Sequence, residues 1–265
     1  MTTLGFIGAG SMASAIMHGL VSSGTPGGDI IFSRRNADAG NQLATDLQAS
    51  FTIDNSEVAR ASHILVLAVK PYLVASILDE ISPHLSPDTI IVSVAAGVSL
   101  ADLAEHLPAG QPTVRAMPNV NAHIRQSMTG LCANKYVTES AARQVWTMFE
   151  AIGQVADIPE ELFSAFSAIA GCSPAWTYTY IDALARAALA EGMTKREAVR
   201  CAAQAVLGSA RMVLDSLDTA VPAELVDRVT SPGGTTIAGL LAMEDAGFSP
   251  AVIAGVRAAV ARDKE

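Results

Sequence analysis

Two short stretches place residues whose types and spacing suit the binding of an anion. The first, GFIGAGSMASAIMHGL over residues 5–20, sets Gly8, Gly10 and Ala13 in a G-x-G-x-x-A pattern between an apolar strand and a helix. There Gly8 permits a tight turn, Gly10 lets backbone approach a pyrophosphate, and Ala13 lets the helix pack close on the strand. The amides that open the helix then face the anion. The second stretch, SPGGTT over residues 231–236, joins a glycine turn to a helix start. Successive free amides at such a start form a nest for a carboxylate, and Thr235 and Thr236 add hydroxyl donors. The plainer reading of the same six residues is a helix capped by its own threonines, with no ligand.

Between the two lie residues that would choose and orient a nucleotide. The second strand ends in Ser33, Arg34 and Arg35, where an NAD site usually carries an acid for the ribose hydroxyl. A hydroxyl and a guanidinium suit a 2′-phosphate instead, which favours NADPH over NADH. The bland alternative is a solvated basic pair at a strand end. Lys70, one of four lysines in the chain, stands in AVKP (68–71) after a buried strand. It is a catalytic acid or a residue that positions nicotinamide or ribose, and positioning is preferred.

The elements around these residues alternate. Strands are expected over 29–35, 51–53, 63–69, 89–97, 113–118, 130–135 and 153–158, with helices between them. Unbroken apolar runs such as HILVLAV suit parallel strands covered on both faces. Ser99 and Asp102 form a capping box, and Thr138 opens a further helix. The expected fold is α/β: a Rossmann-type, doubly wound parallel sheet over 1–158, followed by an all-helical domain over 159–265. In that second domain Ser173-Pro174 and Ser249-Pro250 read as capped helix starts, and Thr194 with Glu197 as a capping box. The segments AWTYTYIDALARAALAEGM and AVRCAAQAVLGSARMVL are apolar around most of their circumference. Burial against another subunit accounts for this better than an ordinary small core.

Composition narrows the function. The 265 residues carry a net charge of −9, which argues against a nucleic-acid partner. Three separated cysteines and five histidines show neither a disulfide framework nor metal-ligand spacing, so no metal is expected and a reducing cytoplasm fits. No signal-like leader or membrane-spanning apolar stretch is apparent, so no membrane partner is expected.

The glycine motif, AVKP, AAGV (95–98), RAMPN (115–119), GCSPAW (171–176) and SPGGTT, in this order, resemble the pyrroline-5-carboxylate reductases. The resemblance runs through nearly the whole chain, and DRVTSPGGTT is its most specific element. It implies NAD(P)H-dependent reduction of a cyclic imine to L-proline, and a helical dimerisation domain whose homodimers often assemble into larger rings. Carried over by residue, it puts the pyrophosphate on Gly8, Ala9, Gly10, Ser11 and Met12, and the adenosine phosphate near Ser33, Arg34 and Asn55. Ala68, Val69, Lys70, Ala95, Ala96 and Gly97 would line the nicotinamide side. The substrate carboxylate would sit on Ser231, Gly233, Gly234, Thr235 and Thr236, with Thr236 as the catalytic residue facing the ring nitrogen.

Some positions depart from the family's pattern. Val120 and Asn121 stand where relatives often carry Thr-Pro after MPN, Trp176 replaces a tyrosine, and the residues before Pro222 lack an acid that some relatives carry. These departures touch the pocket's finer shape and any carboxylate partner for the imine. Two rival functions follow: reduction of another cyclic imine acid such as the six-membered homologue, and a dinucleotide-binding regulator without turnover. Intact SPGGTT speaks against the second. An iminium carbon accepts hydride readily, so the absence of an obvious His or Cys acid does not count against reduction.

Overall fold

The computed structural model describes residues 3–263. Eight strands, β1 (Leu4–Ile7), β2 (Ile30–Ser33), β3 (Ser50–Thr52), β4 (Ile64–Leu67), β5 (Ile90–Ser93), β6 (Thr113–Met117), β7 (Ser127–Ala133) and β8 (Gly153–Asp157), form one sheet in the order 3-2-1-4-5-6-7-8. Helices α1 (Ser11–Ser22), α2 (Ala37–Leu47), α3 (Asn55–Ala61), α4 (Val74–Ile81), α5 (Leu100–Glu105) and α6 (Glu139–Glu150) connect them. In β4, Ile64 and Val66 enter one core layer with Ile16 and Phe149, and Leu65 and Leu67 enter the other with Leu78 and Leu103. Because side chains alternate between faces, a strand buried on both sides must be apolar at every position.

One strand departs from the expected parallel order. β7 runs antiparallel to β6, with Arg115 opposite Cys132 and Met117 opposite Gly130. The connection, residues 118–126, holds only a 3-10 turn over Val120–Ile124. A parallel crossover needs a dozen or more residues, so this link can only reverse the chain. The α6 crossover is long enough to bring β8 back parallel to β7.

The contacts set residues up to Gly171, with Arg262 and Asp263, in one compact unit and Cys172–Ala261 in a second, a boundary later than the composition shift at 158. Glu160 explains the difference. Its Oε1 accepts from the Arg115 guanidinium and from the Leu100 amide, both at 2.7 Å. The same guanidinium lies 4.5 Å from the centre of the Phe163 ring. These contacts hold α7 (Phe163–Phe166) and the π-helical turn Ser167–Cys172 that follows it near the sheet.

The second unit is helical: α8 (Ser173–Ala190), α9 (Lys195–Asp215), α10 (Pro222–Val229), α11 (Thr235–Asp245) and α12 (Phe248–Asp263). Thr194 caps α9, accepting from the Glu197 amide, but the Glu197 carboxylate accepts from the Thr194 hydroxyl and not from its amide, so only half of the expected box forms. Ser173 and Ser249 do not cap. Ser173 is the first residue of a helix that continues out of the π turn, and Ser249 lies inside α12 with its hydroxyl donating to Glu244. A cap must sit where the backbone is still extended, and at both serines it is already helical. Among the described residues α10, α11 and α12 bury no side chain, and Leu207, Met212, Leu214 and Leu217 stand exposed around the end of α9. Among the described residues no single helix is long and apolar enough to cross a membrane. The pair α11 and α12 passes that test on composition but is bent by 51°.

The Ser99 box forms in full. Its Oγ accepts from the Asp102 amide at 3.0 Å, and Asp102 accepts from the Ser99 amide at 2.8 Å and hydroxyl at 2.6 Å. The Ser99 hydroxyl, then the Ser99 amide, hold the Asp102 carboxyl below its ordinary pKa. Stabilisation from that ionised carboxylate is therefore complete above the unfolded value of about 3.9 and is lost as pH falls through the lower folded value. Ser99→Ala should destabilise the protein by about 1 kcal/mol at neutral pH. In urea unfolding, the gap between the two proteins should narrow as pH falls below about 3.9 and through the lower folded value.

Candidate functional site

The carboxyl ends of β1, β2 and β4 meet where the strand order reverses on either side of β1, the place where open α/β sheets bind ligands. A cleft of about 790 Å³ opens there. At its base the chain leaves β1 through Gly8, whose φ of +87° is open to glycine. A Cβ on Gly8 would also stand 2.7 Å from the Ala68 carbonyl oxygen, so the turn lies directly on the end of β4. Gly10 is the N-cap of α1, and a Cβ there would meet no protein atom within 4 Å.

No side chain caps α1, and the first amide to bond back is Ser14, to the Gly10 carbonyl at 2.9 Å. The helix ladder therefore leaves the amides of Ser11, Met12 and Ala13 unclaimed, at a positive dipole end. This arrangement fits the diphosphate of a dinucleotide. Gly8, Ala9, Gly10, Ser11 and Met12 all line the cleft, as do Ser33, Arg34, Asn55, Ala68, Val69 and Lys70. Ala95, Ala96 and Gly97 do not. Ala95 is buried in the core layer with Leu103, and Val94 forms the wall at the end of β5.

The far end of the cleft is built on β2 and α3. Ser33 is nearly buried and donates its hydroxyl to Asn55 Oδ1 at 2.6 Å, and Asn55 Nδ2 donates to Glu80 at 3.2 Å. Arg34, Arg35 and Lys70 line the cleft, and no Asp or Glu does. Among the described residues none of these three cations forms an ion pair. In a chain with a net charge of −9, unpaired cations converging on one concavity select an anion.

Val120 and His123 also line the cleft; the sequence marked Val120 as a departure that touches the pocket's shape, and it gave no sign of His123. They arrive on the turn between β6 and β7. His123 Nε2 lies 2.9 Å from Ser11 Oγ although the two are 112 positions apart in the chain, a juxtaposition with no local sequence signal. Cys132 offers no comparable chemistry. Burial, and then the charge of Glu160, push the Cys132 thiol up, away from the reactive thiolate.

The SPGGTT turn belongs to the second unit and is exposed through most of its length. Gly233 has a φ of +69°, and the Gly234 amide donates to the Ser231 carbonyl at 3.0 Å. The threonines are not caps. Gly234 occupies the N-cap, Thr235 and Thr236 are the first two residues of α11, and no side chain caps the helix. The first amide to bond back is Ala238, to Gly234. The α11 ladder thus leaves the amides of Thr235, Thr236 and Ile237 open, with both hydroxyls beside them.

Comparison with known proteins extends this geometry. The family described as pyrroline-5-carboxylate reductase dimerisation matches residues 160–265. The family described as NADP oxidoreductase, coenzyme F420-dependent, matches residues 3–97. The chain is 37% identical to the pyrroline-5-carboxylate reductase of Methanosarcina acetivorans, over 99% of this chain and 97% of that one. It is similar to the solved pyrroline-5-carboxylate reductase of Coxiella burnetii, with a TM-score of 0.93 and 32% identity over 99% and 97% of the two chains. It also resembles the Plasmodium falciparum pyrroline carboxylate reductase solved with NADP bound, with a TM-score of 0.89 and 29% identity over 99% and 97%.

Gly10 gives a direct test of the cleft. Gly10→Ala should keep the parent melting temperature, because the added methyl meets no protein atom. The methyl takes up space where backbone approaches a pyrophosphate, so dinucleotide affinity in an equilibrium titration should fall roughly tenfold or more.

Proposed function

This chain belongs to the pyrroline-5-carboxylate reductase family, and we propose that it reduces 1-pyrroline-5-carboxylate to L-proline with NAD(P)H, the last step of proline synthesis. The observation that carries the reading is the cleft itself: three cations that form no ion pair among the described residues, and no carboxylate, line the same concavity as the free amides of α1. When bound, the reduced nicotinamide supplies the hydride that adds to the imine carbon.

The chain's own residues have a positioning task. Gly8 through Met12 hold the diphosphate, and Ser33, Arg34 and Asn55 take the adenosine phosphate, which makes NADPH the preferred reductant. Ala68, Val69 and Lys70 flank the nicotinamide, with Val94 at the end of β5 on the cleft wall and the Ala95–Gly97 turn following it outside the lining. Lys70 orients rather than donates a proton, since a protonated imine accepts hydride as its positive charge fades. The imine acid's carboxylate rests on the open amides of the Ser231–Thr236 turn, and the Thr236 hydroxyl engages the ring nitrogen. Anchoring the carboxylate holds two flat rings face to face and lowers the entropic barrier to transfer.

The helices of the second unit are the family's dimerisation unit, and their exposed apolar residues call for a partner surface. A homodimer, with rings of dimers as the larger assembly, fits that need. We divide the functions at 158/159, with nucleotide binding before it and dimerisation and substrate binding after it. Three free cysteines support placement in a reducing cytoplasm.

Two substitutions test the assignment. Arg34→Ala should lower kcat/KM with NADPH roughly ten- to a hundredfold and leave NADH nearly unchanged, since only NADPH carries the 2′-phosphate. Equal loss with both cofactors would remove Arg34 from the phosphate site. Thr236→Val keeps the side chain's shape and removes one hydroxyl. Its kcat/KM should fall roughly ten- to a hundredfold while NADPH affinity holds, whereas a purely structural threonine would change only the melting temperature.

A further inference from the structure

His123 and Ser11 both line the cleft, and the bond between them lies at the amino end of α1. Ser11 is the first residue of α1, so its hydroxyl stands beside the three open amides. His123 reaches it from a short turn that is fixed on several sides. The Asn119 side chain accepts from the Asn121 amide at 3.0 Å and donates to the Ala170 carbonyl at 2.9 Å. The Asn119 amide donates to Ser127 Oγ, and the Gln126 amide to the Asn121 carbonyl, both at 3.0 Å. Ala122 is buried in the core layer beneath. The imidazole is exposed, but its backbone is not free to wander.

A hydroxyl has one proton, and the partner of its oxygen decides where that proton points. If Ser11 donates to His123 Nε2, it has nothing to give a phosphate oxygen, which only accepts. If His123 donates Nε2–H to Ser11 Oγ, the Ser11 O–H is released toward the cleft as a fourth donor beside the amides. A dinucleotide on the α1 amides favours the second arrangement.

We propose that His123 is a positioning residue for the cofactor's diphosphate, holding Ser11 so that its hydroxyl donates to phosphate. The proposal rests on the cleft being the dinucleotide site. It also gives the turn between β6 and β7 a role at that site.

Equilibrium binding of NADPH and NADH, followed by nicotinamide fluorescence, tests this with the intact protein. His123→Ala should weaken both cofactors by the same factor, roughly three- to tenfold, because both carry the diphosphate and the contact is exposed to water. Ser11→Ala should do likewise. The double variant should be no weaker than Ser11→Ala alone, since His123 acts through Ser11. His123→Gln, which keeps an N–H near the Nε2 position, should recover most of the loss. Unchanged affinity in His123→Ala, loss for NADPH only, or losses that multiply in the double variant would each overturn the proposal. Gly10→Ala separates this failure from that of the site itself. If Gly10→Ala loses dinucleotide and His123→Ala does not, the role of His123 alone falls. If Gly10→Ala binds normally, the cleft is not the dinucleotide site and both readings fall.

Discussion

The turn at Gly8 is the constraint on which the nucleotide cleft depends. β1 ends against β4, and the chain must reverse over that end with its backbone almost touching the Ala68 carbonyl. Only a residue without a Cβ, at positive φ, makes that reversal without displacing β4. The reversal sends α1 back along the sheet with its amino end over the strand ends. Three amides are then left facing outward, and the cleft's affinity for an anion follows from this geometry before any side chain is counted.

Electrostatics then separates this concavity from the rest of an acidic surface. Arg34 and Arg35 follow β2 and Lys70 follows β4, so the same carboxyl edge that opens the cleft delivers its cations. Ser33 and Asn55 are already hydrogen-bonded to each other, and that bond fixes the wall where the adenosine end would lie. Arg115 and Glu160 do comparable work away from the cleft. Their ion pair, shared with the Leu100 amide, retains the segment after β8 near the sheet.

The second unit is organised by the opposite principle, apolar surface that its own helices leave uncovered. α8 and α9 meet through small residues such as Ala185, Ala198 and Ala202, which let the helices pack closely but bury little area. What remains exposed includes leucines, valines and methionines with Tyr178, Phe248 and Ile253, as expected of a dimerisation unit viewed without its partner. The Gly234 cap belongs to the same economy. A glycine there leaves the α11 amides to an outside anion, where a serine or threonine would have claimed one of them.

The sequence by itself determined the βα alternation, the apolar strands, the Gly8 turn, the caps at Ser99, Thr138 and Thr194, and the cation-bearing end of β2. Each is a local matter, fixed by side-chain periodicity or by the φ and donor needs of a few neighbouring residues. Tertiary structure decided what local preference leaves open. β7 is reversed because its link to β6 is too short for a crossover. Ser173 and Ser249 are not caps because the helices already run past them, and Gly234 displaces the threonines from the cap of α11. Val94 lines the cleft and Ala95–Gly97, which follow it, do not. His123 meets Ser11 across 112 positions because a reversed strand pair carries its turn to the start of α1. A contact between residues so far apart has no period or motif in the chain, since it exists only once the sheet has set the distance between their elements.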